Sequence, residues 1–171
     1  MAAPEAEKSR NSVENSGLAM RLAREITGDV FFDAFNRGRY ATDASFYQIL
    51  PLGVVVPRTL DEALRALSIA RNVGRIVTHR GGGTSQCGQT VNEGIVIDFF
   101  KPLNRIQSLD VANRTHVVQP GIVLDNLNRQ LRKHGLWIPV DVSTTSRAAI
   151  GGIAGDKSEP DARCAVEQKL P

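Results

Sequence analysis

Ile76-Val-Thr-His-Arg-Gly-Gly-Gly-Thr-Ser-Gln-Cys-Gly-Gln-Thr-Val-Asn-Glu-Gly-Ile-Val-Ile-Asp98 decides how the rest of the chain is read. The stretch opens on Ile76 and Val77 and closes on Ile95, Val96 and Ile97. Such β-branched runs predict two strands, here with a glycine loop between them. Three glycines together, Gly81, Gly82 and Gly83, are costly in backbone entropy and signal unusual torsions or close approach. A loop without β-carbons can turn several backbone N–H groups toward one anion. Thr84 and Ser85 add hydroxyl donors and Arg80 adds positive charge, which is chemistry suited to a pyrophosphate. By itself the loop also reads as a flexible strand-to-strand turn. Two other phosphate loops are excluded. No Gly-Lys-Ser/Thr follows, so this is not a P-loop. The spacing Gly81, Gly83, Gly88 is not G-x-G-x-x-G, and a predicted strand follows where a dinucleotide fold needs a helix N-terminus.

Upstream, Val54, Val55 and Val56, closed by Pro57, read as a strand buried on both faces. Thr59 precedes Glu62 by three residues, a capping-box pattern. Leu60, Ala63, Leu64, Leu67 and Ala70 then repeat at helical spacing as the predicted apolar face, and Gly74 is the predicted stop. Strand, helix, strand implies a parallel pair with a right-handed crossover. Further upstream, Leu18, Leu22 and Ile26 give a short helix that Gly28 can end, while residues 36–48 read as irregular chain. Downstream, Thr115–Val118 reads as a strand. Val123, Leu124, Leu127 and Leu131 line a helix that Gly135 can end, and Trp137 and Ile138 resume an extended path. The expected fold class is α+β in two lobes, a βαβ lobe followed by the start of a second α+β lobe. The expected organisation is a tail and short helix over 1–35, a domain over 36–155 and an irregular tail over 156–171.

The bulk composition fits this picture. The chain has 171 residues, 42% apolar and 23% charged, with a net charge of +3. That is an ordinary composition for a globular domain. The 21 basic residues form no dense run and aromatics are 5%, so no nucleic-acid partner is expected. Cys87 and Cys164 form no CxxC pair, and the start carries Glu5, Glu7 and Glu14 with no apolar run. No stretch is apolar enough to span a bilayer, so the expected location is the cytoplasm. His79, His116 and His134 lie far apart and predict no metal site. Trp137 is expected in packing, Asp98 in a structural cap, and Arg21, Arg24, Arg37 and Arg39 on a solvated face.

Taken in order, further residues carry a family resemblance. Tyr40-Ala-Thr-Asp-Ala-Ser45, Pro51, Val54 to Pro57 and Asp61-Glu-Ala63 precede the glycine loop. Arg80 to Gln89, Gly94 to Asp98 and Leu103-Asn-Arg-Ile106 follow. Then come Val118-Gln-Pro-Gly121, Leu127-Asn128, His134-Gly-Leu136, Pro139-Val-Asp141, Ser143 to Ser146 and Ala149-Ile-Gly-Gly152. Together they resemble the FAD-binding domain of the p-cresol methylhydroxylase and vanillyl-alcohol oxidase type. The nearest likeness is to its D-lactate dehydrogenase and glycolate oxidase branch.

The resemblance implies FAD as cofactor. Gly81, Gly82, Gly83, Thr84 and Ser85, beside Arg80, would wrap its pyrophosphate, and Gly88 and Gln89 would complete that turn. Pro120 and Gly121 would lie near the flavin end. Pro139, Ser143, Thr144, Thr145, Ser146, Ala149, Ile150, Gly151 and Gly152 would line the flavin and its ribityl chain. Covalent members carry His just after the glycines; Thr84 here implies noncovalent FAD. Asp141-Val142-Ser143 replaces the Asp-Pro-Ser of relatives, and after Gly152 the likeness fades. The expected function is an FAD-linked oxidase or dehydrogenase of a 2-hydroxy acid, D-lactate- or glycolate-like, with an unspecified electron acceptor and no catalytic residue assigned. The domain is expected to be incomplete at its C-terminus, as after a frameshift or early stop, and the chain alone inactive. The alternatives are a non-catalytic flavin- or nucleotide-binding module and a basic interaction protein.

Overall fold

The computed structural model describes residues 16–156. The expected tail over 156–171 therefore lies, from residue 157 on, outside the described residues. The described chain divides into two compact units. The first holds residues 16–79 and 86–98, the second residues 80–85 and 99–156, so the glycine segment itself passes from one unit to the other.

The first unit is built on a four-stranded sheet. Helix α1 spans residues 16–25 and buries Leu18 and Leu22, with Ile26 just beyond its end. Strand β1 (Asp29–Phe31), helix α2 (Ala34–Gly38), strand β2 (Gly53–Val56) and helix α3 (Leu60–Asn72) follow. Strands β3 (Val77–Arg80) and β4 (Ile95–Asp98) flank the glycine segment. The sheet order is β1-β2-β4-β3. β2 and β4 are parallel, with Val54 opposite Val96, and β1 runs antiparallel to β2. The parallel pair is therefore β2 with β4, not β2 with β3, because β4 is inserted between them. All four residues of β2 and of β4 are buried, as expected for strands covered on both faces.

Several expectations change here. Helix α2 takes in residues 36–38, where irregular chain was expected, because Asp33 caps that turn by accepting from the Asn36 N–H at 2.9 Å. On α3 the buried residues are Ala63, Ala66, Ile69 and Ala70, while Leu60 and Leu64 are each 57% exposed. The tertiary contact selects a stripe of mainly small side chains instead of the stripe with the most leucine. The N-cap is as expected, Thr59 accepting from the Glu62 N–H at 3.2 Å. Glu62, however, reaches the Arg58 N–H at 2.7 Å and the N–H and hydroxyl of Thr27, so the box is not reciprocal. Strand β3 begins at Val77, leaving Ile76 exposed. Asp98 is buried and accepts the Tyr40 hydroxyl at 2.7 Å. Arg21 and Arg37, expected to be solvated, are half-buried and bonded: Arg21 to Glu25 at 3.0 Å and Arg37 to the Pro51 carbonyl at 2.6 Å.

The second unit packs a hairpin and two helices. Strands β5 (Ile106–Asp110) and β6 (Thr115–Val118) pair antiparallel, and helix α4 (Leu124–Leu131) leads through a 3-10 turn to Gly135 at φ +71°. Its core is Ile122, Leu124, Leu127, Leu131, Leu136, Ile138, Val140, Ala148 and Ile153. Ile106, Leu109 and Val118 of the hairpin close over it. Residues 136–142 form no strand. The Asn128 carboxamide holds them instead, accepting from the Ile138 N–H at 2.7 Å and donating to its carbonyl at 3.2 Å. Trp137 beside them is half exposed and outside the core. Helix α5 (Ile150–Asp156) follows.

Candidate functional site

Three of the segments singled out from the sequence converge within the second unit. The first is the glycine loop from Arg80 to Ser85. A β-carbon on Gly81 would lie 2.9 Å from that of Ala149, and one on Gly82 would overlap the Arg147 carbonyl oxygen. Gly82 is thus glycine because the backbone of residue 147 fills the space a side chain would take. Gly83 has φ +67°, a left-handed torsion that a β-carbon disfavours, and the Arg80 guanidinium folds over it.

The second segment is Pro120–Gly121. The Gly121 N–H donates to the Leu103 carbonyl at 2.7 Å, and the Phe99 carbonyl occupies its β-carbon space. The third is Ser143 to Gly152. The Thr144 carbonyl accepts from the N–H groups of Arg147 at 2.8 Å and Ala148 at 2.7 Å, closing a tight turn. That turn is stitched to the second segment: Leu124 N–H to Ala148 carbonyl at 3.0 Å, Ile150 N–H to Ile122 carbonyl at 2.9 Å, Gly151 N–H to Pro120 carbonyl at 2.8 Å. A β-carbon on Gly151 would press on Pro120 at 2.6 Å, whereas one on Gly152 would meet nothing within 4 Å.

Arg80, Gly81, Gly82, Gly83, Thr84, Ser85, Pro120, Gly121, Ser143, Thr144, Thr145, Ser146, Ala149, Ile150, Gly151 and Gly152 therefore belong to one framework of neighbouring segments. Pro139 is exposed on the strap that Asn128 holds. Gly88 and Gln89 belong to the first unit, where Gly88 has φ +76° and lies under the Tyr47 ring.

The electrostatics favour an anion. Residues 80–91 include Arg80 and no carboxylate. The N–H groups of Gly82, Gly83 and Thr84 donate to no backbone carbonyl among the described residues. Backbone N–H groups that no carbonyl engages can donate together to an anion. Among the described residues no group of three His, Cys, Asp or Glu side chains comes together as a metal site, and no helix is long and apolar enough to cross a membrane. Sequence reasoning missed Asn128 as a structural clamp and Asp43, which accepts from Ser45 and Thr90. A lone polar residue gives no periodic signal.

Comparison with known proteins identifies the family. Residues 51–158 match the family described as FAD binding domain. The D-2-hydroxyglutarate dehydrogenase of Pantoea ananatis is 38% identical over 77% of this chain, and the match covers 13% of that protein. Glycolate oxidase subunit GlcD of Bacillus subtilis is 36% identical over 78% of this chain and 29% of its own length. The chain thus spans well under half of these relatives. A solved alkyldihydroxyacetonephosphate synthase superposes with a TM-score of 0.71 at 20% identity, over 81% of this chain and 31% of that one, which shows a shared fold. The chain belongs to the FAD binding domain family, and FAD is its cofactor.

Proposed function

We propose that this chain is the FAD-holding part of an oxidoreductase that acts on a small 2-hydroxy acid. The observation that carries the reading is the second unit's framework, where a glycine loop whose amides donate to no backbone carbonyl lies against the Ser143–Gly152 segment. The residues fit the cofactor: amides and hydroxyls for a diphosphate, one guanidinium for its charge, and no carboxylate on the loop to repel it. The substrate class is supported by relatives named D-2-hydroxyglutarate dehydrogenase and glycolate oxidase subunit.

In this reading the Gly82, Gly83 and Thr84 N–H groups bind the diphosphate, and Arg80 neutralises part of its charge. Pro120, Gly121, Pro139 and the Ser143–Gly152 segment take the flavin end. Bound FAD supplies the hydride-accepting chemistry; the protein orients it and limits water. Thr84 offers a hydroxyl and no imidazole, so the attachment is noncovalent. A cytoplasmic location belongs to the same reading, supported by the exposed free thiol of Cys87.

The test adds FAD to the purified protein, removes excess, and titrates anaerobically with D-2-hydroxyglutarate, D-lactate and glycolate. Loss of the visible flavin absorption with one of the three is the expected result. A flavin-loaded protein of the full gene product that none of them bleaches would overturn the substrate class.

A further inference from the structure

The strap that Asn128 holds alternates in burial within the second unit. Leu136, Ile138 and Val140 belong to the core, while Trp137 and Pro139 between them are exposed. The Trp137 side chain is 51% exposed, yet its neighbours on both sides are fixed. The Leu136 N–H donates to the Leu131 carbonyl at 3.2 Å, and both backbone groups of Ile138 go to the Asn128 carboxamide. The backbone therefore pins the indole at the surface. A large apolar ring held in water by a pinned backbone is poised to gain from a partner that covers it.

Trp137 lines an open cavity of about 480 Å³ together with Arg132, Gly135 and Leu136. That volume suits a small molecule. A β-carbon on Gly135 would meet nothing within 4 Å, so the space beside it is open. Among the described residues neither the Arg132 guanidinium nor the Trp137 ring has a hydrogen bond, ion pair or ring contact. Residues 126–140 carry Arg129, Arg132 and Lys133 and no carboxylate. The cavity thus offers an aromatic plate and an unpaired cation. A planar ring can stack on the first while an anionic substituent pairs with the second. The chemistry favours a carboxylate over a phosphate. Phosphate sites gather several backbone N–H groups, and here those of Gly135 and Leu136 are spent on the Arg132 and Leu131 carbonyls. A lone guanidinium matches a carboxylate with its two-pronged fork.

We propose that the cavity at Arg132, Gly135, Leu136 and Trp137 is a binding site for a planar aromatic carboxylate. Trp137 stacks on the ring, Leu136 adds apolar contact, and Arg132 holds the carboxylate. None of these four residues is among those that the FAD reading uses, so the site stands apart from that reading.

Trp137 is the single tryptophan of the chain, so its indole N–H gives one side-chain signal of its kind in the magnetic resonance spectrum of nitrogen-labelled protein. The experiment titrates the full chain with 2-naphthoate and follows that signal. Three controls divide the chemistry: 2-naphthamide keeps the ring without the charge, cyclohexanecarboxylate keeps the charge without the ring, and AMP joins a ring to a phosphate. The expected result is a saturable shift of the indole signal with 2-naphthoate, at a dissociation constant about ten-fold below that of any control. In equilibrium dialysis, Trp137→Ala and Arg132→Gln should each weaken 2-naphthoate about five-fold or more, with ligand-free melting unchanged. Trp137→Phe should keep most of the affinity, and Arg132→Gln keeps the test open should Trp137→Ala not fold. An indole signal that millimolar 2-naphthoate leaves in place would overturn the proposal. So would equal binding of 2-naphthamide, or unchanged affinity in Arg132→Gln. Equal binding of AMP at the indole signal would overturn the carboxylate assignment.

Discussion

Each glycine of the site has its own reason for lacking a side chain, and the reasons predict different mutants. Gly82 faces the Arg147 carbonyl and Gly151 presses on Pro120, so Gly82→Ala and Gly151→Ala overpack the fold. Each should cost about 1–3 kcal/mol in chemical denaturation. Gly152 meets nothing within 4 Å and lies inside helix α5. Gly152→Ala should therefore leave stability unchanged or raise it by up to about 1 kcal/mol. If Gly152 lies against the flavin end, the same substitution should still weaken FAD binding in a titration. Equal FAD affinity in a stable Gly152→Ala protein would remove that residue from the assignment. The number of glycines was legible in the sequence. The carbonyl that meets Gly82 was not, because Arg147 is 65 residues away and is brought there only by the fold of the second unit.

Among the elements, helix α3 and the strap over residues 136–142 each depend on one polar side chain. Asn128 satisfies both backbone groups of Ile138, which is 2% exposed. Asn128→Ala leaves those groups buried and unpaired, and should cost about 1–3 kcal/mol in denaturant unfolding. It should also speed proteolysis near Trp137. Glu62 ties α3 to the chain ahead of it. Burial alone would raise its carboxyl, but hydrogen bonds from Thr27, Arg58 and Gly28 outweigh burial and hold it below the usual carboxylate range. A depressed folded value means that this stabilisation is present above the unfolded value of about 4.3 and is lost as pH falls through the folded value. Melting temperature against pH should therefore drop more steeply on acidification in the wild type than in Glu62→Gln, which starts lower at neutral pH. Parallel curves would show that Glu62 contributes no pH-linked stability. The cap at Thr59 and the stops at Gly74 and Gly135 were legible because they are set by neighbours in sequence. Strands β1 and β5 were missed. The first has three residues, and the second carries Gln107 and Ser108 between its apolar positions, so only their partners make them strands.

For the molecule as a whole, the FAD reading predicts a linkage between ligand and stability. A ligand at a hundred times its dissociation constant stabilises the native state by about 2.7 kcal/mol. Saturating FAD should accordingly raise the melting temperature by several degrees, and Gly83→Val should abolish the shift, since its φ of +67° resists a branched side chain. Acid precipitation of the loaded protein should leave the flavin in the supernatant. Flavin retained in the pellet would overturn the noncovalent assignment. Stabilisation by FAD that persists in a folded Gly83→Val protein would detach the loop from the diphosphate.

The sequence by itself determined the α+β class, the buried strands Gly53–Val56 and Ile95–Asp98, the Thr59 helix cap and the glycine loop. Each follows from short-range chemistry: a β-branched run, a side chain reaching an N–H three residues on, a torsion open to glycine. The tertiary structure alone decided that β4 inserts between β2 and β3, and that α3 buries Ala66 and Ile69 while exposing Leu60 and Leu64. It alone decided that Asp43 reaches Thr90. Those outcomes depend on which distant surfaces meet. A helix with apolar residues on more than one side, or a carboxylate in a loop, carries no record of its partner in the residues beside it.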